Sequence, residues 1–490
     1  MLVIVSLVIY CIIFFLWTWK KSRRHYPLPP TYPGALPLIG HGHLFLGDIR
    51  HLWKFERKVY EYSLEKGDVV ELRLGPHSAY VISDPDDCLT VANTCFDKPY
   101  MYKFGKEMYD RGLVTADAIT WKPHRKLLNP AFNQQMLHVL VDEYSQQAKN
   151  LVNQLASEVD NGPFDIQPYI IDTLLTTVCR TTLGLKDEDS SVKKYAHKAE
   201  ELFTLYTNRV QRVWLHLPLI FNNTSQKKKQ DSLMEIMKDI TKEAIATRKL
   251  ELKAINTLDG NDVSRAKFKM LIDHMLQSAE KQNAFTDDEI REHLDTIIGA
   301  AYDTTASAVT FSLLLLGSHQ DIQERVYKEM QEVLGYQDRD LNMNDLKNLV
   351  YLDAFIKECL RLFPPGPRIA RSSSLDVKLK NYTLPAGCTL ILNVYGLNRH
   401  PMWGADANQF KPERWLDHAT LPDNPNTFAS FSIGKRNCIG KLYAMMVVKT
   451  VLVHILQRYH VTSDITSLEL KCDIILKPIN GHHISLELRK

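Results

Sequence analysis

Phe431-Ser432-Ile433-Gly434-Lys435-Arg436-Asn437-Cys438-Ile439-Gly440 (FSIGKRNCIG) is followed at once by KLYAMMVVKTVLVHILQRY, which has the pattern of a long apolar helix. Cys438 therefore stands just before a helix N-terminus. Unsatisfied backbone N–H groups and partial positive charge at that point favour thiolate over thiol. Gly434 and Gly440 allow the backbone to pass close to a bulky partner without a Cβ clash. Arg436 supplies a permanent cation two residues from the sulfur. These features suit a thiolate bound to iron beneath a flat macrocycle that carries carboxylates. The competing reading is a buried structural cysteine at a helix start.

A second helix lies upstream of this stretch. Thr286 and Glu289 have the T-x-x-E spacing of a capping box, and DTIIGAAYDTTASAVTFSLLLLG carries the helix to Gly317. Its second half is apolar nearly all round, so it should cross the interior. Asp303, Thr304 and Thr305 interrupt that apolar run, and buried polar groups cost free energy unless satisfied. Elsewhere, alternating β-formers between Ser63 and Ser83 predict a small hairpin. Helical periodicity dominates from Met136 to Gly317. Short strands are expected around the Pro-Ala-Gly turn between Val377 and Val394, and again from Thr466. The fold class is mainly α with small β-sheets.

The chain has 490 residues, 45% of them hydrophobic and 24% charged, an ordinary globular composition. A net charge of +3 lends no support to nucleic-acid binding. The eight cysteines form no C-x-x-C pair and no zinc-like cluster, and eight in so long a chain make no disulfide scaffold.

Residues 1–19 are expected to form an N-terminal membrane anchor. Leu2 to Trp19 carry no charge and would span roughly 27 Å as a helix. Trp17 and Trp19 suit the water interface, and Lys20, Lys21, Arg23 and Arg24 would stay cytosolic. A cleaved signal peptide is disfavoured because the charge follows the apolar run and no small-residue cleavage site appears. Residues 20–40 are basic and then proline-rich, a stiff connector to a catalytic domain over 41–490.

FSIGKRNCIG resembles the haem-binding signature F-x-x-G-x-R-x-C-x-G of the cytochrome P450 family at Phe431, Gly434, Arg436, Cys438 and Gly440. At average residue frequencies such a match arises by chance in on the order of one in ten thousand chains of this length. Glu358-Cys359-Leu360-Arg361 resembles the family's E-x-x-R, whose members share a helix face at i and i+3. Pro412-Glu413-Arg414-Trp415 resembles its P-E-R-F, with Trp for Phe. The resemblance makes Glu358, Arg361 and Arg414 a structural network behind the cofactor. Trp121 and Arg125 match the W-x-x-x-R of a haem-contacting helix, and Arg371 lies where another propionate ligand often falls. An arginine fork can grip a carboxylate in two places.

Ala300-Ala301-Tyr302-Asp303-Thr304-Thr305 resembles the oxygen-activation motif [AG]-G-x-[DE]-T-[TS]. Thr304 is expected to bond back to the Ala300 carbonyl, loosening the helix, with Asp303 and Thr304 relaying protons. Ala301 replaces the usual Gly. Ala300 occupies the position where some family-four fatty-acid hydroxylases carry a Glu that esterifies the haem, so no such bond is expected here. HRKLLNPAF, from His124 to Phe132, also resembles that branch, particularly its insect members.

The resemblance implies the cytochrome P450 fold with a single N-terminal transmembrane helix. It also implies haem b, iron on Cys438 and a monooxygenase cycle that inserts one atom of O2 into a lipophilic small molecule. No GxGxxG fingerprint or P-loop accompanies these motifs, so electrons must come from elsewhere; the resemblance implies NADPH through a membrane-bound P450 reductase, with cytochrome b5 as a further partner. Lys122, Lys126, Lys435 and Lys441 are candidates to meet an acidic redox partner. Leu202, Phe203, Ile297, Ile298 and Ala301 are candidate pocket-wall residues. The implied location is the endoplasmic reticulum membrane, with the catalytic domain cytosolic. Three other readings stay open: a peroxide-rearranging isomerase or dehydratase, a haem-thiolate sensor without turnover, and a membrane-anchored scaffold without haem.

Overall fold

The structure is a computed structural model and describes residues 5–14, 27–75, 77–185, 190–256, 270–282, 284–335, 339–480 and 482–489. The chain divides into two compact units. The first comprises Met1–Pro99, Arg368–Ala407 and Pro422–Asn437, and the second Tyr100–Pro367, Asn408–Leu421 and Cys438–Lys490.

The first unit is built on a four-stranded sheet, in the order Val69–Leu74, His77–Ile82, Thr389–Leu392, Ile369–Ser372. The first two strands form the expected hairpin, in register from Val69↔Ile82 to Leu74↔His77. His77–Ile82 then runs parallel to Thr389–Leu392, which pairs antiparallel with Ile369–Ser372. Val69, Tyr80, Ile82, Leu390 and Leu392 meet Val91, Ala92 and Ile433 in one core. Helix Pro85–Thr94 starts where Asp84 accepts from the N–H groups of Asp86 and Asp87, with Pro85 at its first position. Between Val377 and Val394 the short strands appear as expected, and Gly387 has the positive φ that the Pro-Ala-Gly turn requires. The described part of the proline-rich connector does more than link: Pro30 and Tyr32 exchange backbone hydrogen bonds with Glu71.

Of the expected anchor, Val5–Phe14 is a short apolar helix whose large side chains are mostly exposed. The flanking residues 1–4 and 15–26, including Trp17, Trp19 and the basic cluster, lie outside the described residues.

The second unit is a stack of helices around Asp287–Ser318. That helix begins at the capping box: the Glu289 N–H donates to Thr286 Oγ1 at 3.3 Å, and the Thr286 N–H donates to Glu289 Oε2 at 2.8 Å. It is the one helix among the described residues long and apolar enough to cross a membrane, and its apolar window is 83% buried. Burial on this scale marks a core helix. It packs against Gln167–Leu183, Val350–Leu362 and Lys441–Arg458. Each fully buried Leu, Val or Phe in this stack contributes about 1.5–3 kcal/mol. The C-terminal strands expected from Thr466 are present as the hairpin Glu469–Cys472/Leu476–Asn480 and the strand His483–Leu488. The last of these pairs with Tyr459–Thr462 and Phe164–Asp165, two short strands that the sequence did not signal.

Candidate active site

In the first unit the cysteine loop approaches helix Pro85–Thr94. Gly434 has φ +70°, and a Cβ there would lie 2.7 Å from the Ala92 Cβ. Glycine is required here by the neighbouring helix and by the positive φ. Arg436 is buried, and its Nη1 donates to the Phe96 carbonyl at 2.5 Å. Phe431 is half-buried. Arg371, on strand Ile369–Ser372, is 1% exposed. Burial first, and then the charges of Arg371 and Arg436, hold the Lys98 ammonium well below its ordinary value. Three cations are thus grouped in this unit, an arrangement that an anionic ligand would relieve. Lys98 had no signal of its own in the sequence.

In the second unit Cys438 precedes helix Lys441–Arg458, whose N-cap is Gly440. The Cys438 side chain is accessible to solvent, yet protein surrounds it closely enough that burial pushes its thiol up. A hydrogen bond from the Gly440 backbone N–H and the charges of Arg125 and Lys441 pull the other way without prevailing. Burial is the largest of these effects, and the Gly440 N–H and the two cations act in the direction expected of a helix terminus. The cations acting on the sulfur are Arg125 and Lys441, whereas Arg436 belongs to the group around Lys98. A Cβ at Gly440 would stand 3.9 Å from the sulfur, an ordinary contact, so this glycine leaves space rather than relieving a clash within the chain.

Trp121 and Arg125 lie one turn apart on helix Ala118–Leu128, which Asp117 caps by accepting from the Thr120 N–H at 2.9 Å. Trp121 is buried. Arg125 is half-buried, and its Nε donates to Asn129 Oδ1 at 2.7 Å. Burial lowers the Arg125 guanidinium, and the field of Cys438 partly restores it.

On helix Asp287–Ser318 the Thr304 hydroxyl donates to the Ala300 carbonyl at 2.8 Å, the back-bond anticipated above. Ala300 is exposed, and Ala301 and Thr304 are half-exposed, while the neighbouring turns 293–299 and 305–317 of the same helix are buried. One face of the helix is therefore open for a single turn. Asp303 is buried, and its Oδ1 lies 2.6 Å from Lys477 Nζ. Lys477 was missed in the sequence, where only a lysine within the apolar run IILKPI could have drawn notice. Of the pocket-wall candidates, Leu202, Ile297 and Ile298 are buried, Phe203 is half-buried and its ring lies 6.2 Å from that of Tyr109, and Ala301 borders the open turn.

Glu358 is wholly buried and accepts from five groups. Arg361 Nε and Nη2 each reach it at 2.8 Å, Arg414 Nε at 3.0 Å, the Lys411 backbone N–H at 2.9 Å and Trp415 Nε1 at 3.0 Å. Burial pushes its carboxyl up, but the Arg361 hydrogen bond and charge, the Lys411 N–H and Arg414 more than offset this and hold it below the ordinary range. A buried carboxylate with all its lone pairs engaged fixes geometry.

These residues fit an iron macrocycle. Among the described residues no group of three or more His, Cys, Asp or Glu is arranged to hold a bare metal ion. A single exposed cysteine just before a helix would supply one protein ligand to the iron of such a group.

Comparison with known proteins gives the same answer. The Cytochrome P450 family profile matches residues 29–484. The chain is 31% identical to "Cytochrome P450 4V2" of Rattus norvegicus and to its Homo sapiens counterpart, over 96% of this chain and 91% of each relative. It is 29% identical to "Cytochrome P450 4g15" of Drosophila melanogaster, over 96% of this chain and 94% of that protein. The chain belongs to the cytochrome P450 family: it is a monooxygenase, an oxidoreductase that works with haem b.

Proposed function

We propose that the protein is a membrane-anchored monooxygenase that inserts one atom of O2 into a lipophilic small molecule, with Cys438 as the iron ligand. Cys438, an exposed residue set just before helix Lys441–Arg458, carries this reading. Bound haem supplies oxygen activation and redox chemistry, and thiolate ligation favours O–O cleavage.

The chain's own residues bind, orient and move protons. Cys438 presents sulfur, and Gly440 keeps the space beside it clear. A metal charge at the sulfur would overcome the burial that holds the thiol up. By the family resemblance, Trp121, Arg125, Arg371, Phe431, Gly434, Arg436 and Gly440 bind the cofactor, and Glu358, Arg361 and Arg414 brace the region behind it. Thr304 and Asp303 hand on protons, at the turn where the long helix is open.

Electrons come from NADPH through a membrane-bound P450 reductase, with cytochrome b5 assisting. Lys122, Lys126 and Lys441 on the second unit, and Lys435 on the first, are exposed, and we read them as candidates to meet an acidic partner. Residues 1–19 anchor the chain in the endoplasmic reticulum membrane, residues 20–40 connect, and the catalytic domain over 41–490 stays cytosolic. The test is reconstitution of the full chain with reductase and NADPH over a panel of fatty acids and terpenoids. NADPH-dependent hydroxylated product supports the reading. Haem-bound protein that yields no oxygenated product from any of them, yet rearranges a lipid hydroperoxide without reductase, overturns it in favour of an isomerase.

A further inference from the structure

Asp303 and Thr304 each have a partner, and neither is the other. Thr304 is bonded to the Ala300 carbonyl, and Asp303 is held by Lys477 from the C-terminal hairpin. The lysine is placed with little slack. Leu476, before it, is pinned on both sides: its N–H donates to the Pro365 carbonyl and its own carbonyl accepts from Ser307 Oγ, both at 2.8 Å. Pro478, after it, has a fixed φ. Ser307 lies one helical turn beyond Asp303, so hairpin and helix are tied at two successive turns, Asp303–Lys477 and Ser307–Leu476. The carboxylate side chain is 7% exposed and the ammonium side chain 16%. The pair is therefore shielded from bulk water, where a charge contact is stronger than at the surface.

We propose that Lys477 is the positioning residue for Asp303, a latch that keeps the carboxylate docked on the hairpin between proton transfers. This rests on the reading of Asp303 and Thr304 as the proton relay. To act, Asp303 leaves Lys477, takes a proton from a solvent hydronium, which becomes water, and passes it to the Thr304 hydroxyl. That hydroxyl gives up its own proton toward the reacting oxygen, so Thr304 ends neutral and Asp303 ends ionised. Lys477 then recaptures the carboxylate. No electrons move in these steps, and the lysine keeps its charge throughout.

The test uses the full-length, haem-loaded chain with reductase, comparing wild type with Lys477→Met, Lys477→Arg, Asp303→Asn and the Lys477→Met/Asp303→Asn double variant. Two quantities are read: the solvent deuterium isotope effect on NADPH oxidation, and the midpoint of urea unfolding. We expect Lys477→Met to change the isotope effect by about twofold, with Lys477→Arg restoring it, since general acid–base transfer responds to how its carboxylate is held. We expect the urea midpoints to be non-additive in the double variant. A Lys477→Met isotope effect equal to wild type, with Asp303→Asn altered, overturns the latch and leaves the relay. Wild-type behaviour in Asp303→Asn overturns the relay and the latch together. Additive urea midpoints show that the pair does not couple and overturn the latch. A wild-type chain that oxidises no NADPH beyond reductase alone overturns the proposed function, and the latch with it.

Discussion

Trp415 donates its indole N–H to Glu358 Oε2 at 3.0 Å. Phenylalanine, the residue usual at that position of the family motif, has no N–H to give. The departure from the family motif therefore adds a fifth donor to a wholly buried carboxylate. The indole does not act alone, because Arg361 and Arg414 supply charge and the Lys411 backbone supplies another N–H.

Trp415→Phe is expected to cost about 1.5–3 kcal/mol, the range for a hydrogen bond to a charged group. Glu358→Gln leaves two buried arginines short of their counter-charge and is expected to cost about 3–5 kcal/mol. Urea unfolding of both variants checks the order. Equal stability of wild type and Glu358→Gln would contradict a network that fixes this region.

Ala300 is exposed in the middle of a buried helix, at the position where some family-four enzymes carry an esterifying glutamate. Ala300→Glu is expected to yield haem that resists acid–solvent extraction after turnover with NADPH and reductase, while wild type releases its haem completely. Complete release from the variant would mean that the open turn does not face the cofactor.

His293 and His124 stand 2.8 Å apart, Nε2 to Nδ1, beside Phe285, with Glu289 3.7 Å from His124. Burial, and then His124, push His293 down to about 3, from an ordinary 6.5. Burial also lowers His124, partly offset by Glu289. Between pH 6.5 and about 3 the unfolded chain thus binds more protons at His293 than the folded one. Stability from this site is present above the unfolded value and is lost as pH falls through that window. His293→Asn is expected to show a shallower fall in urea midpoint between pH 7 and pH 5 than wild type. Parallel falls would show that the pair does not set acid sensitivity.

The motifs were readable because each rests on local spacing. Thr286 and Glu289 make their capping box within one turn, Glu358 and Arg361 pair at i and i+3, and Thr304 reaches back four residues to Ala300. What the sequence could not reveal depends on distant chain. Lys477 finds Asp303 across 174 positions, a separation that carries no local pattern. Gly434 is dictated by Ala92 in another helix. The burial that raises the Cys438 thiol comes from surrounding elements and has no signal in the residues next to it. The short strands Phe164–Asp165 and Tyr459–Thr462 exist only because His483–Leu488 pairs with both.

The most direct test of the central claim is the visible spectrum of the purified full-length protein, reduced with dithionite and exposed to carbon monoxide, beside a Cys438→Ala control. A strongly red-shifted Soret band in wild type, absent from the control, is the expected result. A Soret band at the position of histidine-ligated haem, or one unchanged in Cys438→Ala, would contradict Cys438 as the iron ligand.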